Sequence, residues 1–135
     1  LTVTWNEIKY KAELRREFED DLPRVMGSAQ RFGQIFINLI VNAAQAIPEH
    51  GVITLRASSR EEKVYIEVED TGCGISPEDM NKIFEPFFTR KPEGEGTGLG
   101  LSICYELVKK FHGDIRVRSK QGHGTCFILS FPAVP

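Results

Sequence analysis

The chain has 135 residues, 41% of them hydrophobic, which fits one domain with one ordinary core. Its 17 basic and 19 acidic residues leave a net charge of −2, which excludes a whole-domain electrostatic footprint for nucleic acid or an anionic membrane. Cys73, Cys104 and Cys126 are odd in number and lack C-x-x-C spacing, so free thiols in a reducing compartment are expected rather than a disulfide framework.

No apolar run approaches a membrane span, and the amino terminus shows no basic stretch followed by an apolar signal core, so a soluble domain is expected. The start at Leu1 rather than methionine predicts a piece of a longer polypeptide. Residues 13–18 read as an exposed strand and 20–27, "DDLPRVMG", as a turn followed by a short strand. From Ser28, a candidate N-cap, Phe32, Ile35, Phe36, Leu39, Ile40, Ala43 and Ile47 fall at helical spacing, predicting a helix buried on one face and stopped by Pro48.

Residues 52–58 and 63–70 read as two strands of a hairpin joined by "SREE". In the second, Val64, Ile66, Val68 and Asp70 share one face because side chains alternate, so Asp70 points where the core points. "SPEDMNKIF" (76–84) offers a Ser cap, Pro at the first helical position and two acids in the first turn, predicting a short helix. Residues 85–96 lack periodicity and read as a long functional loop, a lid. A second helix is expected from about Gly98, with Leu99, Ile103, Leu107, Val108 and Phe111 on one side, ending at His112 and Gly113. Residues 114–119 and 125–131 then make a second hairpin around "KQGHG".

"GEGTGLGLS" (94–102) has glycine at every second position from Gly94 to Gly100. It is not the dinucleotide fingerprint, because leucines stand three residues beyond Gly96 and Gly98 and no strand precedes it. Nor is it G-x-x-x-x-G-K-[ST], because Leu101 follows Gly100. What is left is a glycine run entering a helix, whose free N–H groups and positive dipole end suit phosphate oxygens; a plain hinge before an amphipathic helix is the alternative.

Three other features bear on that choice. Asn38 and Asn42 stand four apart on the helix stripe opposite the apolar one, with Arg31, Gln34 and Gln45. They are either solvated polar residues or, since Asn is a poor helix former and its amide oxygen a hard ligand, a Mg2+ and phosphate set. "EDTGCGIS" (69–76) ends a strand as an ordinary glycine turn or as a site where inward Asp70 meets a donor such as an adenine amino group. In "GHGTCF" (122–127), Thr125 is in phase with Phe127, Leu129 and Phe131, so it too faces inward and can share a polar pocket with Asp70.

Taken in order, these blocks resemble the catalytic, ATP-binding domain of sensor histidine kinases, in the superfamily that includes gyrase, Hsp90 and MutL. "NLIVNAAQAI" (38–47) resembles the N box, "DTGCGI" (70–75) the G1 box, "FEPFFTRK" (84–91) the F box, "GEGTGLGLS" the G2 box and "GHGTCF" the last glycine box. The stretch "NLIVNAAQAIPEHGVITLRAS" resembles the nitrogen-regulation and PAS-linked group of these kinases.

The resemblance implies an α+β fold, a two-layer sandwich with a mixed, mainly antiparallel sheet covered on one face by helices. It implies one catalytic ATP-binding domain over 1–135, with the first 27 residues, which no motif covers, holding the end of a linker. By the same resemblance Asp70 binds the adenine amino group, Gly74 and Thr125 complete the base pocket, and Gly72 and Ile75 also bind the nucleotide. Asn42 is the Mg2+ ligand with Asn38 on the phosphate side, and Lys91 with Arg90 reaches the phosphates from the lid. Gly96, Gly98, Leu99 and Gly100 offer backbone N–H groups to the phosphates, with Thr97 and Leu101 also binding the nucleotide. Phe84, Phe87 and Phe88 either pack in the core or anchor the lid and meet the partner helix.

Hydrolysing relatives such as gyrase carry a glutamate one turn before the metal asparagine; here that place is Asn38, an amide that cannot act as a base, which favours transfer over hydrolysis. Asn38, Asn42 and Lys91 are thus the expected catalytic set, with ATP and Mg2+ as cofactors. His50, His112 and His123 lie outside any acceptor-type helical setting, so the phosphoacceptor is expected on a separate dimerisation and histidine phosphotransfer domain of the same protein. A response regulator is expected downstream, with no nucleic acid and no direct membrane contact by this cytoplasmic domain. The alternatives are a serine kinase of the anti-sigma-factor type, which shares the superfamily, and a non-catalytic nucleotide-sensing module.

Overall fold

The computed structural model describes residues 12–25, 27, 29–86, 88 and 100–134. Strand β1 (Ala12–Phe18) precedes helix α1 (Ala29–Ala46), strands β2 (Gly51–Arg60) and β3 (Lys63–Asp70), helix α2 (Gly100–Lys110), and strands β4 (Asp114–Lys120) and β5 (Gly124–Pro132). The sheet order is β1-β2-β3-β5-β4. β1 runs parallel to β2 and every other neighbour is antiparallel. The mixed sheet under two helices is the expected sandwich.

α1 buries the stripe that its spacing predicts, whereas α2 turns Ser102, Cys104 and Val108 inward, with Leu107 and Phe111 only partly buried against the core and Ile103, expected on that side, outside it. Ile35, Leu39, Ala43 and Ala44 of α1 and Cys104 and Val108 of α2 meet Ile53, Val68, Phe127, Leu129 and Phe131 of the sheet in one core. Phe32 ties the two helices to the sheet, its ring 5.1 Å from both Phe111 and Phe131 and edge-on to the latter. The other sheet face carries cross-strand ion pairs. Arg56 of β2 bridges Glu17 of β1 at 3.1 Å and Glu69 of β3, while Arg118 of β4 approaches Glu67 of β3. Such open pairs fix register more than they add stability.

The ends of the elements follow local chemistry. α2 closes with His112 in the left-handed region at φ 62°, the Gly113 N–H on the Val108 carbonyl and the His112 N–H on that of Lys109, a complete helix-ending motif without glycine in the left-handed place. The β2–β3 connection is tighter than the "SREE" reading. Glu61 and Glu62 alone make the turn, both at positive φ, which matches the twist of the flanking strands.

Two other expectations are corrected. Residues 76–84 form successive turns, not a helix: the N–H groups of Asp79, Lys82 and Glu85 each bond the carbonyl three residues back. A segment this short has little helical stability of its own, and Ile83 and Phe84, adjacent in sequence, both pack on the core. The strand expected within 20–27 reduces to an isolated bridge, Val25 to Ala133. The Ser28 cap lies outside the described residues; α2, expected from Gly98, is described from Gly100 onward.

Because Phe32 joins α1, the end of α2 and β5, Phe32→Ala is expected to cost about 3 kcal/mol, read as a lowered urea midpoint with an unchanged denaturant slope.

Candidate functional site

At the carboxyl end of β3 the chain leaves the sheet through Thr71 and turns back under α1. The Cys73 N–H donates to the Ala46 carbonyl at 2.9 Å, satisfying one of the carbonyls that a helix end leaves open. Gly72 permits that contact, since a Cβ there would lie 2.6 Å from the Ala46 carbonyl oxygen. On its other side the loop meets the β4–β5 turn. The Gly122 N–H donates to the Cys73 carbonyl at 2.7 Å, and Gly74, at φ 75°, would set a Cβ 2.3 Å from the Lys120 carbonyl oxygen. The loop is thus clamped between a helix end and a hairpin turn.

This clamp brings together residues that are far apart in sequence. Asp70 of β3, Thr125 of β5 and Ser119 of β4 lie side by side in register, so all three side chains face the helices. Asp70 is 4% exposed and Thr125 6%. Asp70 Oδ1 accepts the Gly72 N–H at 2.8 Å. Burial nevertheless raises the Asp70 carboxyl above its ordinary range, outweighing the backbone N–H groups of Gly72 and Thr125 that favour the charge. A buried acceptor held in this way is chemically suited to a ligand that brings a hydrogen-bond donor.

Ser119 was not among the expected site residues. Its Oγ accepts the Ile75 N–H at 2.8 Å and lies 2.8 Å from Thr125 Oγ1 and 3.0 Å from the Gly124 carbonyl oxygen. The available signal was its phase, since Ser119 alternates with Ile115 and Val117 on one face of β4. An open cleft of about 420 Å³ lies beside it, lined by Ile75, Pro77, Met80, Ser119, Lys120 and Gln121.

On α1, Asn42 sits one turn before Ala46, on the end that holds the Asp70–Gly74 loop. Asn38 is half-buried and lies near enough to the Cys104 thiol of α2 to favour its ionised form, while that thiol donates to the Ile35 carbonyl at 3.6 Å. Asn38 therefore faces α2, whereas the sequence placed it on a polar stripe with exposed Arg31 and Gln34. Gly100 and Leu101 open α2, and Leu101 packs against the core. Arg90, Lys91, Gly96, Thr97, Gly98 and Leu99 lie outside the described residues, as does Phe87; Phe84 and Phe88 pack against the core. His50, His112 and His123 are exposed.

The three thiols are free. Burial pushes both Cys104 and Cys126 up to about 11, so they remain neutral at physiological pH. Among the described residues no helix is long and apolar enough to cross a membrane.

The family model for histidine kinase-, DNA gyrase B- and HSP90-like ATPases matches residues 27–135. This chain belongs to that ATPase family. It is 42% identical to the sensor histidine kinase ZraS of Escherichia coli strain K12 over 120 residues, 89% of this chain and 25% of ZraS. It is 37% identical to sporulation kinase A of Bacillus subtilis strain 168, covering 88% of this chain and 19% of that kinase. The chain thus spans about a quarter or less of these relatives. Among solved structures, the catalytic domain of histidine kinase ThkA superposes with a TM-score of 0.80 at 35% identity, over 93% of this chain and 81% of that one. The full-length ShkA structure, in complex with AMPPNP, matches at 0.79 and 29% identity over 93% of this chain and 27% of that one. The match is to catalytic, ATP-binding domains of sensor histidine kinases.

Two outcomes test the site's construction. Asp70 holds its proton more tightly folded than unfolded, so its ionisation weakens the fold as pH rises from the ordinary value of 3.8 through the raised one. Asp70→Asn is therefore expected to be more stable than the parent at pH 7 without ligand, the gap closing as pH falls toward 4 in paired thermal melts. Gly74→Ala forces a side chain onto backbone at positive φ and is expected to cost about 2 kcal/mol or more by urea unfolding.

Proposed function

We propose that this chain is the catalytic domain of a two-component sensor histidine kinase, binding Mg-ATP and transferring the γ-phosphoryl group to a histidine on a separate dimerisation domain of the same protein. The observation that carries this is the buried carboxylate of Asp70 in one polar row with Thr125 and Ser119, beside the end of the helix that bears Asn42. A buried acceptor next to a hydroxyl fits the amino edge of adenine, and the AMPPNP complex of ShkA supports an adenine nucleotide.

In this reading Asp70 binds the base with Gly72, Gly74, Ile75 and Thr125 around it. Asn42 offers the amide oxygen for Mg2+, which takes few protein oxygens beside phosphate and water. Arg90, Lys91, Gly96, Thr97, Gly98, Leu99, Gly100 and Leu101 hold the phosphates. ATP supplies the phosphoryl group, and Mg2+ neutralises its charge.

The protein's part is positioning. Asn38 cannot take a proton from water at neutral pH. The residues therefore favour an acceptor that is already nucleophilic, as a neutral imidazole is. A response regulator then receives the group, and the domain works on the cytoplasmic side of the cell.

Three measurements check this. With labelled ATP and a helical-hairpin partner carrying a histidine, the label should survive base and be lost in acid; acid-stable, base-labile label would make the acceptor a serine and overturn the reading. Steady ATP hydrolysis by the chain alone should stay near background. Calorimetry with AMPPNP and Mg2+ should show Asp70→Asn weakened at least about tenfold, and equal affinity would remove Asp70 from the base pocket.

A further inference from the structure

Ser119 makes more contacts at the open end of the sheet than any phosphate or base motif requires of it. We propose that Ser119 is a positioning and specificity residue of the base pocket: it orients the Thr125 hydroxyl as a donor and holds the Ile75 backbone, so that the pocket selects adenine over guanine. This rests on the base-pocket reading above.

A serine hydroxyl has one proton and two lone pairs. One lone pair accepts the Ile75 N–H at 2.8 Å. The proton has two acceptors within reach, the Gly124 carbonyl oxygen at 3.0 Å and Thr125 Oγ1 at 2.8 Å. When it points to Gly124, the short contact with Thr125 requires Thr125 to donate back to Ser119. Thr125 then shows only lone pairs to the pocket. When the Ser119 proton points to Thr125, the Thr125 proton is released and can donate to a ligand.

That choice decides which purine edge fits. Ionised Asp70 is only an acceptor, and Thr125 stands next to it in register. An acceptor followed by a donor pairs with the 6-amino group and N1 of adenine, directly or through one water. Guanine presents a 6-oxo acceptor and an N1–H donor, the reverse order, and sets its oxygen against the Asp70 carboxylate. Ser119 thus completes a three-strand relay whose polarity suits adenine. Its second bond fixes Ile75, which with Ser119 lines the cleft beside the row.

The test is calorimetry on the whole chain with Mg2+ and either AMPPNP or GMPPNP, in the parent, Ser119→Ala, Ser119→Thr, Thr125→Val and the Ser119→Ala/Thr125→Val double variant. Ser119→Ala is expected to weaken AMPPNP about tenfold and to shrink the adenine-to-guanine preference by a similar factor. Ser119→Thr, which keeps the hydroxyl, should retain the parent preference. In the Thr125→Val background, Ser119→Ala should shrink the preference no further. Melting curves accompany each variant. A Ser119→Ala that loses both nucleotides equally, keeps the parent preference, or acts independently of Thr125 overturns the proposal. Should Ser119→Ala fail to fold, Ser119→Cys against Ser119→Thr gives the same comparison, with loss of preference expected only for the thiol. A parent chain without an Asp70-dependent adenine preference overturns the base-pocket reading itself; an Asp70-dependent preference indifferent to Ser119 overturns this proposal alone.

Discussion

The hydrogen bond from the Cys73 N–H to the Ala46 carbonyl joins the end of α1 to the loop leaving β3, and the rest of the site depends on it. A helix end leaves its last carbonyls without partners, so some group must meet them. Here that group is a loop with glycine at 72, where any side chain would collide with Ala46. The contact fixes the distance between two chemistries. Asn42 is one turn up the helix from Ala46, and Asp70 is three residues back from Cys73. The β4–β5 turn holds the same loop from the other side, through Gly122 and the close approach of Gly74 to Lys120.

The polar row at this end of the sheet goes against what stability alone would choose. Ile53 continues the row on β2 and is fully buried, as an ordinary core position would be. Its neighbours are Asp70, Thr125 and Ser119. Burial disfavours the Asp70 charge, and among the described residues only backbone N–H groups offset it. Such departures from the stable choice concentrate where a ligand brings the missing partner. The membership of the chain in a family of ATPases makes an adenine nucleotide the partner proposed for this row. The glycines at 72 and 74 serve the same end, because a bulkier loop would separate the helix from the row.

Much of this was legible in the sequence because periodicity is a property of the chain read locally. Asp70 in phase with Val68, and Thr125 in phase with Phe127, announced inward polar groups before any contact was known. Ser119 carries the same sign, in phase with Val117, but belongs to none of the glycine motifs. The turns at 76–84 were misread for the opposite reason. Their capping chemistry is that of a helix, but Ile83 and Phe84 both find core partners, and tertiary packing outweighs the propensity of so short a segment. The polar stripe was only partly right, since Asn38 turns out to reach Cys104, a residue it approaches only because α2 packs beside α1.

The sequence by itself determined the inward phase of α1 and of most strand positions, where most of the strands and both helices run, and which set of motifs the chain carries. All of these follow from spacing, turn chemistry and resemblance along one strand of text. Only the tertiary structure decided the strand order, the parallel pairing of β1 with β2, the docking of the Gly72 loop on Ala46, and the row that sets Ser119 beside Thr125 and Asp70. Those relations depend on which faces meet in space. A hydroxyl's choice between two acceptors 2.8 and 3.0 Å away exists only once three strands lie side by side.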